Sequence, residues 1–399
     1  MDIAIFTLTS ALHDEQAVGA TTAAFLAALR IPHKLCGADY GEYGSHDLNL
    51  IFVRTGGTEG IFRDLLPQLR RQSTQPIYLL TNGSSNSLAA SMEILSYLRQ
   101  RDIAGEILHG SNAYVTGRIT ELAGTGAARR KLRGQRLGII GVPSDWLISS
   151  LVDRNEVRNK LGIDLIDINM DEVIAMYNAT PTPTTVNVDA PVPNDEIRMA
   201  LPGAERIYLA LKQIVEQYKL NGLTIRCFDL LTAVRNTGCL ALARLNSEGI
   251  IAGCEGDMPA MLSMAIAQAV TGSTGFQSNP ARINPETGEI LMAHCTIPFN
   301  MVDRYELDTH FESGIGVGIR GFRRSGPVTL FKVSGNLQRC FAAQGSLEQC
   351  GCETDLCRTQ MSIRLYDRQQ ARYFLTDPIG NHHIVVPGHV ANTLRAVIS

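Results

Sequence analysis

The sequence has no apolar run long enough to cross a bilayer. It also has no basic leader at its start: Met1-Asp2-Ile3-Ala4-Ile5-Phe6 reads as a first strand, not a signal peptide. Strong charge of either sign is missing. Lys and Arg number 36 against 39 Asp and Glu, a net charge of -3, which argues against nucleic acid or an anionic membrane as the main partner. Aromatic residues are few, at 6%, with one tryptophan, and no repeat or low-complexity tract is evident. With 45% hydrophobic and 19% charged residues the chain lacks a disorder signature and can bury a sizeable core. The nine cysteines are odd in number and scattered through mostly apolar contexts. Reduced thiols and a cytoplasmic location are therefore expected. A length of 399 residues implies two or three domains.

What is present is organised around Gly249-Ile250-Ile251-Ala252-Gly253-Cys254-Glu255-Gly256-Asp257-Met258-Pro259. Ile250 to Cys254 is a short apolar run, as in a strand buried on both faces. Asp257 fits an N-cap and Pro259 the first helical turn. The following helix, Met261 to Val270, is apolar nearly all round and stops at Gly272. Glu255 then lies at a sheet edge near a helix N-terminus, where the dipole favours an ionised carboxylate and so a bound cation. The plainer alternative makes Asp257 only a cap and Glu255 a solvated turn residue.

Residues 1–132 alternate strands (Ile3–Leu8, Leu48–Val53, Pro76–Leu80) with helices (Thr21–Arg30, Ile61–Arg71, Ser87–Arg101), which predicts a parallel sheet. Two strands run into glycine-rich loops, Arg54–Gly60 and Thr81–Ser87. Neither has the Lys-Ser/Thr ending of a P-loop, and ordinary turn chemistry accounts for their glycines. A basic linker, Arg129–Gly134, leads to a second α/β domain over 133–280. Its strands are Arg136–Gly141, Ile163–Ile168, Leu223–Phe228 and the run that delivers Glu255. A helix from about Leu230 to Asn246 makes Leu223–Glu255 one βαβ unit, so Asp229 and Glu255 emerge from one sheet edge. Trp146, also at a strand end, either stacks on a sugar face or packs in the core. Over 281–399 short β-like runs take over: Val317–Arg320, Val328–Val333, Met361–Leu365, Ala371–Leu375 and Ile384–Val386. The expected architecture is α/β: two doubly wound parallel-sheet domains plus a C-terminal antiparallel, barrel-like β-rich domain.

His294, His310, His382 and His383 lie in the last third. With Glu255 they can supply a mixed nitrogen and oxygen site for Mn2+, Fe2+, Co2+ or Zn2+. Spacing alone does not bring them together, and each taken singly also fits a hydrogen-bonded structural histidine. Cys350-x-Cys352-x4-Cys357 has no standard zinc spacing and no evident fourth ligand. Arg320, Arg323, Arg324 and Arg358 either face an anionic substrate or are simply solvated.

The chain resembles the L-fucose isomerase/L-arabinose isomerase superfamily, specifically the shorter fucose-isomerase-like proteins. The residues that carry the resemblance are Asn86–Ala90, Pro143–Ile148, Arg226–Cys239, Gly253–Asp257, Gly272–Pro280, His294-Cys295, His310–Gly314 and Asn381–His383. The resemblance implies three domains and a Mn2+ enzyme that interconverts aldoses and ketoses. It also implies a homo-oligomer with sites near subunit boundaries, where Trp146 and the N-terminal glycine-rich loops serve a neighbour. Glu255 stands at the family's metal-binding acid/base, His383 (or His382) at its C-terminal ligand histidine, and His310 at the ligand histidine of arabinose isomerase. There are departures: Asn279 replaces an aspartate of fucose isomerase, and the glutamate that arabinose isomerase has near His294-Cys295 is missing. Asn279 can bind a hydroxyl or metal but cannot act as a base, which leaves Asp257 or Asp229 as substitutes.

The expected activity is metal-dependent isomerisation of a small monosaccharide through a cis-enediol, with Glu255 moving the proton between C2 and C1. Asp229, Asn279, Trp146, His382, Arg320 and Arg358 are the expected substrate contacts. One alternative is isomerisation of an anionic (sulfo- or acid) sugar held by the arginines. Others are metal-dependent hydrolysis or aldol chemistry, and a non-catalytic sugar-binding or regulatory module that has lost one acid.

Overall fold

The computed structural model describes residues 1–398. The chain forms two compact units that meet in sequence at Arg130 and Lys131. In the first, five strands β1 (Ile3–Leu8), β2 (Lys34–Gly37), β3 (Leu48–Val53), β4 (Ile77–Leu80) and β5 (Gly105–Leu108) alternate with α1 (Glu15–Leu29), α2 (Glu59–Gln72), α3 (Ser87–Arg99) and α4 (Asn112–Leu132). The sheet is parallel, in the order β2-β1-β3-β4-β5. The expected strands and helices are present. β2 and β5 were not legible because they are four-residue strands with little apolar pattern, Lys-Leu-Cys-Gly and Gly-Glu-Ile-Leu.

The second unit opens with another parallel sheet. Strands β6 (Arg136–Ile140), β7 (Asp164–Ile168), β8 (Gly222–Ile225) and β9 (Ile251–Gly253) pair in the order β7-β6-β8-β9. Helices α5 (Arg154–Leu161), α6 (Met170–Ala179) and α7 (Asp195–Tyr218) connect the first three strands. The single helix expected over 230–246 is two, α8 (Asp229–Ala233) and α9 (Cys239–Ser247). The break has a cause. Arg235 takes a left-handed φ of 50°, Asn236 donates to Ala200 O, and Thr237 Oγ1 donates to Val317 O, so tertiary bonds replace helical ones.

Helix α10 (Met258–Thr271) follows β9 and is buried along nearly its whole length. Its all-round apolar surface has partners on every side: the sheet through β9, and strands of a closed antiparallel barrel. That barrel runs β10-β11-β16-β15-β14-β17, built from β10 (Phe276–Asn284), β11 (Glu289–His294), β14 (Gly326–Val333), β15 (Cys340–Gly351), β16 (Thr359–Leu365) and β17 (His383–Pro387). A separate ribbon joins β12 (Arg304–Asp308) to β13 (Gly318–Phe322), and the described chain closes with α11 (Tyr373–Thr376) and α12 (Ala391–Ile398). The strand expected at Ala371–Leu375 is instead a 3-10 turn running into α11. Asp367 caps that turn through Gln369 N, and Tyr373 stacks on Phe341 with ring centroids 3.9 Å apart. The barrel core includes Phe276, Ile290, Met292, Leu330, Phe341, Met361 and Val385. No described helix is long and apolar enough to cross a membrane.

The turn between β9 and α10 is confined by its neighbours. Gly256 has φ 72°, and a Cβ there would lie 2.7 Å from Val142 O and 2.9 Å from Pro143 Cα. Gly256→Ala is expected to destabilise the second unit by about 1–2 kcal/mol from the left-handed backbone alone, with the clash adding to that. A lowered thermal midpoint checks it; an unchanged one contradicts the packing described.

Candidate functional site

Four segments remote in sequence meet where the parallel sheet ends and the barrel opens. The first is the β9–α10 turn. Its backbone is held by Gly256 N to Ile225 O (2.9 Å), Asp257 N to Cys254 O (3.2 Å) and Ser144 N to Glu255 O (2.9 Å). Glu255 itself takes φ 63°. A left-handed conformation costs a residue other than glycine about 1–3 kcal/mol, and such strain concentrates at functional sites. Here it accompanies a buried carboxylate facing two imidazoles.

Those imidazoles come from the barrel. His294 ends β11 and His382 immediately precedes β17, and β10 lies between these two strands. His294 Nε2 is 3.5 Å and His382 Nε2 is 3.4 Å from Glu255 Oε1. The other oxygen, Oε2, accepts a hydrogen bond from Trp146 Nε1 at 2.7 Å. Behind His382, Nδ1 donates to Asp257 Oδ2 at 2.9 Å, and the Lys332 ammonium lies 3.3 and 3.2 Å from the two Asp257 oxygens. Asp257 is also the helix cap, Oδ1 accepting from Ala260 N at 2.7 Å. With no exposed surface, Asp257 supports His382 and α10 and has no face open to a substrate.

Burial would raise the Glu255 carboxyl. The nearby His382 and His294 imidazoles, His382 first, outweigh it, holding the group well below the usual carboxylate range. Burial acts the same way on Asp257, but Lys332 and His382 bring it down to about 2. His382, against its burial, is raised to about 9 by the Glu255 charge and the Asp257 hydrogen bond. Burial lowers Lys332, and Asp257 opposes that shift.

His383 sits elsewhere. Side chains alternate across a strand, and His383 shares the parity of Val385, which faces the barrel core. Its Nδ1 bonds Asn381 O and its Nε2 bonds the Tyr373 hydroxyl, both at 3.0 Å, and burial lowers it to about 3. The structure thus puts His382, not His383, against Glu255. His310 is half-buried beside Phe228, with Nδ1 on Ser313 Oγ at 3.0 Å. Burial, then the His294 charge, lowers it to about 4. Phe228 also meets Trp146 edge-on at 4.8 Å, so Trp146, Phe228 and His310 form one aromatic wall. Trp146 is 53% exposed and is not a core residue.

Asn279 pairs in register with Ala293, next to His294, and its Oδ1 is buried without a hydrogen-bond partner. Asp229 accepts from Arg226, which also holds Asp145 and Pro143 O and so ties down the Trp146 loop. Arg320 and Arg358 converge on one carboxylate, Asp308, at 2.8 and 3.4 Å. Two largely buried guanidiniums share that one carboxylate, and the Arg358 charge reaches His310. The cysteine run is not assembled as a metal centre: Cys350 contacts the Arg323 backbone, the Cys357 thiol is hydrogen-bonded with the free Cys295, and Cys352 is exposed. In the first unit the β4–α3 glycine-rich loop, with His13, Asp14 and Arg54, borders a hollow of about 330 Å³.

Two donors about 2.0–2.2 Å from one ion stand roughly 3–3.5 Å apart. Glu255 Oε1 stands at about that spacing from His294 Nε2 and, separately, from His382 Nε2, and His382 Nε2 is buried with no hydrogen-bond partner. Among the described residues, the three donors that all lie within 4.8 Å of one another are those of Cys254, Glu255 and His294. Cys254 Sγ is engaged with Cys227 Sγ at 3.0 Å, and that contact together with burial raises its thiol well above the ordinary value. Glu255 and an imidazole suit a hard divalent ion, and His382 joins His294 on it only if the two Nε2 atoms draw closer than they stand here.

No family model matches the chain. It is similar to a sulfoquinovose isomerase of Clostridium sp. (strain MSTE9), 30% identical over 127 residues, 32% of this chain and 27% of that protein. It is 20% identical over 261 residues to the sulfoquinovose isomerase of Alkalicoccus urumqiensis, covering 62% of this chain and 59% of the relative. That of Priestia aryabhattai matches at 20% over 219 residues, 51% and 48% of the two chains. The chain thus spans between 27% and 59% of the length of these curated relatives.

The His382 proton sets a pH dependence. A histidine raised from an ordinary value of about 6.5 to about 9 on folding stabilises the fold fully below the lower value. That stability is lost as pH rises through the upper one. In protein stripped of divalent ions, the denaturation midpoint is expected to fall across this window, and His382→Gln to flatten the fall. An equal slope in both proteins would contradict the assignment.

Proposed function

We propose that this protein is a metal-dependent aldose-ketose isomerase acting on an anionic monosaccharide. The observation that carries the reading is that His294 Nε2 and His382 Nε2 both face one oxygen of the buried Glu255 carboxylate, while Trp146 Nε1 holds the other. The relatives' names support sugar isomerisation, and sulfoquinovose is the sugar those names carry. The resemblance to the L-fucose isomerase/L-arabinose isomerase superfamily supports the same chemistry and Mn2+ as the ion. Fe2+, Co2+ and Zn2+ suit the same donors.

Glu255 Oε1, His294 Nε2 and His382 Nε2 would hold the ion. When bound, a divalent ion supplies charge stabilisation at adjoining sugar oxygens and polarises the carbonyl. Glu255 then takes the C2 proton and returns it to C1 through a cis-enediol. Trp146 fixes the Oε2 edge of that carboxylate with its N–H and offers its exposed indole to the sugar face. A carboxylate held this far down is a modest base, so placement beside the substrate carbon must supply much of the rate. Asn279 offers its unpaired carbonyl oxygen to a hydroxyl or to the ion. The surplus charge of Arg320 and Arg358 over Asp308 favours an anionic substituent.

The test is proton NMR in D2O with Mn2+-loaded protein, supplied with sulfoquinovose and with neutral aldoses. Conversion of sulfoquinovose to its ketose with deuterium entering at carbon is expected. Glu255→Gln should lower turnover by roughly 10²–10⁴-fold. Near-normal turnover of that variant would remove Glu255 from the proton transfer. Preference for a neutral aldose would favour the uncharged-sugar reading, and no conversion with the ion bound would favour a sugar-binding module.

A further inference from the structure

Lys332 is a charged residue where the fold gives no ordinary reason for one. It lies on β14 within Val328–Val333, every residue of which is buried, and is itself 1% exposed. It shares the parity of Val328 and Leu330, which face the barrel core. Its ammonium reaches both oxygens of Asp257, at 3.3 and 3.2 Å. The α10 cap does not need this contact, because the cap bond is the one from Ala260 N to Asp257 Oδ1. Two contacts from one cation, together with the cap bond, fix the plane of the carboxylate. They thereby fix which oxygen meets His382 Nδ1 at 2.9 Å. The far nitrogen, Nε2, is left without a hydrogen-bond partner, 3.4 Å from Glu255 Oε1.

We propose that Lys332 is a positioning residue: acting through Asp257, it holds the His382 ring so that Nδ1–H points away from the site and Nε2 faces Glu255. Its consequence for ion affinity rests on the metal-dependent reading above; its consequence for ring geometry does not. Histidine ligands commonly donate their second ring N–H to a carboxylate, and losing such a partner typically weakens metal affinity by about 10–100-fold. Here the carboxylate has an anchor of its own, 75 residues away in sequence.

The test uses Lys332→Met in the full chain with two readouts. In ion-free, 15N-histidine-labelled protein, 1H–15N spectra report whether the His382 Nδ1 proton is held in a hydrogen bond. The wild type is expected to show a protected Nδ1–H, and Lys332→Met to lose that protection. Electron paramagnetic resonance of free Mn2+ then gives affinity, expected to weaken by about 10–100-fold in the variant. Unchanged His382 signals and unchanged Mn2+ affinity in folded Lys332→Met would overturn the proposal. If wild-type protein binds no Mn2+, the metal reading fails, and the ion-free spectra alone decide the role of Lys332. Should Lys332→Met not fold, the double variant Lys332→Met/Asp257→Asn removes both buried charges and keeps a good helix cap. It is expected to fold with weakened Mn2+ binding and an unprotected His382; wild-type behaviour in both readouts would overturn the assignment.

Discussion

One imidazole stands between two buried carboxylates. His382 bonds Asp257 on one side and faces Glu255 on the other, and all three are buried. Buried charge is costly unless paired and hydrogen-bonded. In the chain Lys332–Asp257–His382–Glu255 each group has its partner, and the series ends at the side where Trp146 holds the last oxygen. Removing one member of a buried pair typically costs about 3–5 kcal/mol, because the other is left uncompensated. The chain therefore constrains fold and site together: it ties β14 and the approach to β17 to the N-terminus of α10.

That coupling explains why the site lies at this junction. In parallel sheets ligands gather beyond the carboxyl ends of the strands, and β9 delivers Glu255 there. A barrel mouth offers strand ends whose side chains converge. Helix α10 is apolar on every face because it packs between the two layers, and its N-terminus is where they meet. Neither layer alone carries the three side chains: Glu255 belongs to the sheet edge, His294 and His382 to the barrel.

Much of this was legible in local pattern. The strand–turn–helix around Glu255, its proline at the first turn and its glycine stop are local signals, and the structure has all of them. The parallel sheets and the late shift to β structure follow from periodicity. Other features depend on contacts between distant residues. The doublet His382-His383 cannot be resolved without knowing which face of β17 meets the core, and parity reverses the role of adjacent residues. Strands β10, β11 and β15 have mixed polarity, since one face meets the barrel core and the other is partly exposed. Lys332 did leave a trace, a lone charge within an apolar strand. Its meaning needed the position of Asp257, which no local pattern provides. Asn279 is the converse case. Its residue type suggested a lost acid, and the structure adds a buried oxygen that still lacks a partner.

Under the proposed function, Glu255 with the imidazoles that face it would hold a divalent ion beside Trp146. Anomalous diffraction at the manganese edge from crystals grown with Mn2+ tests it most directly. The account predicts one strong peak within coordination distance of Glu255 Oε1, His294 Nε2 and His382 Nε2. A peak at His383 or at the cysteines, or none beside Glu255 at saturating Mn2+, would contradict it.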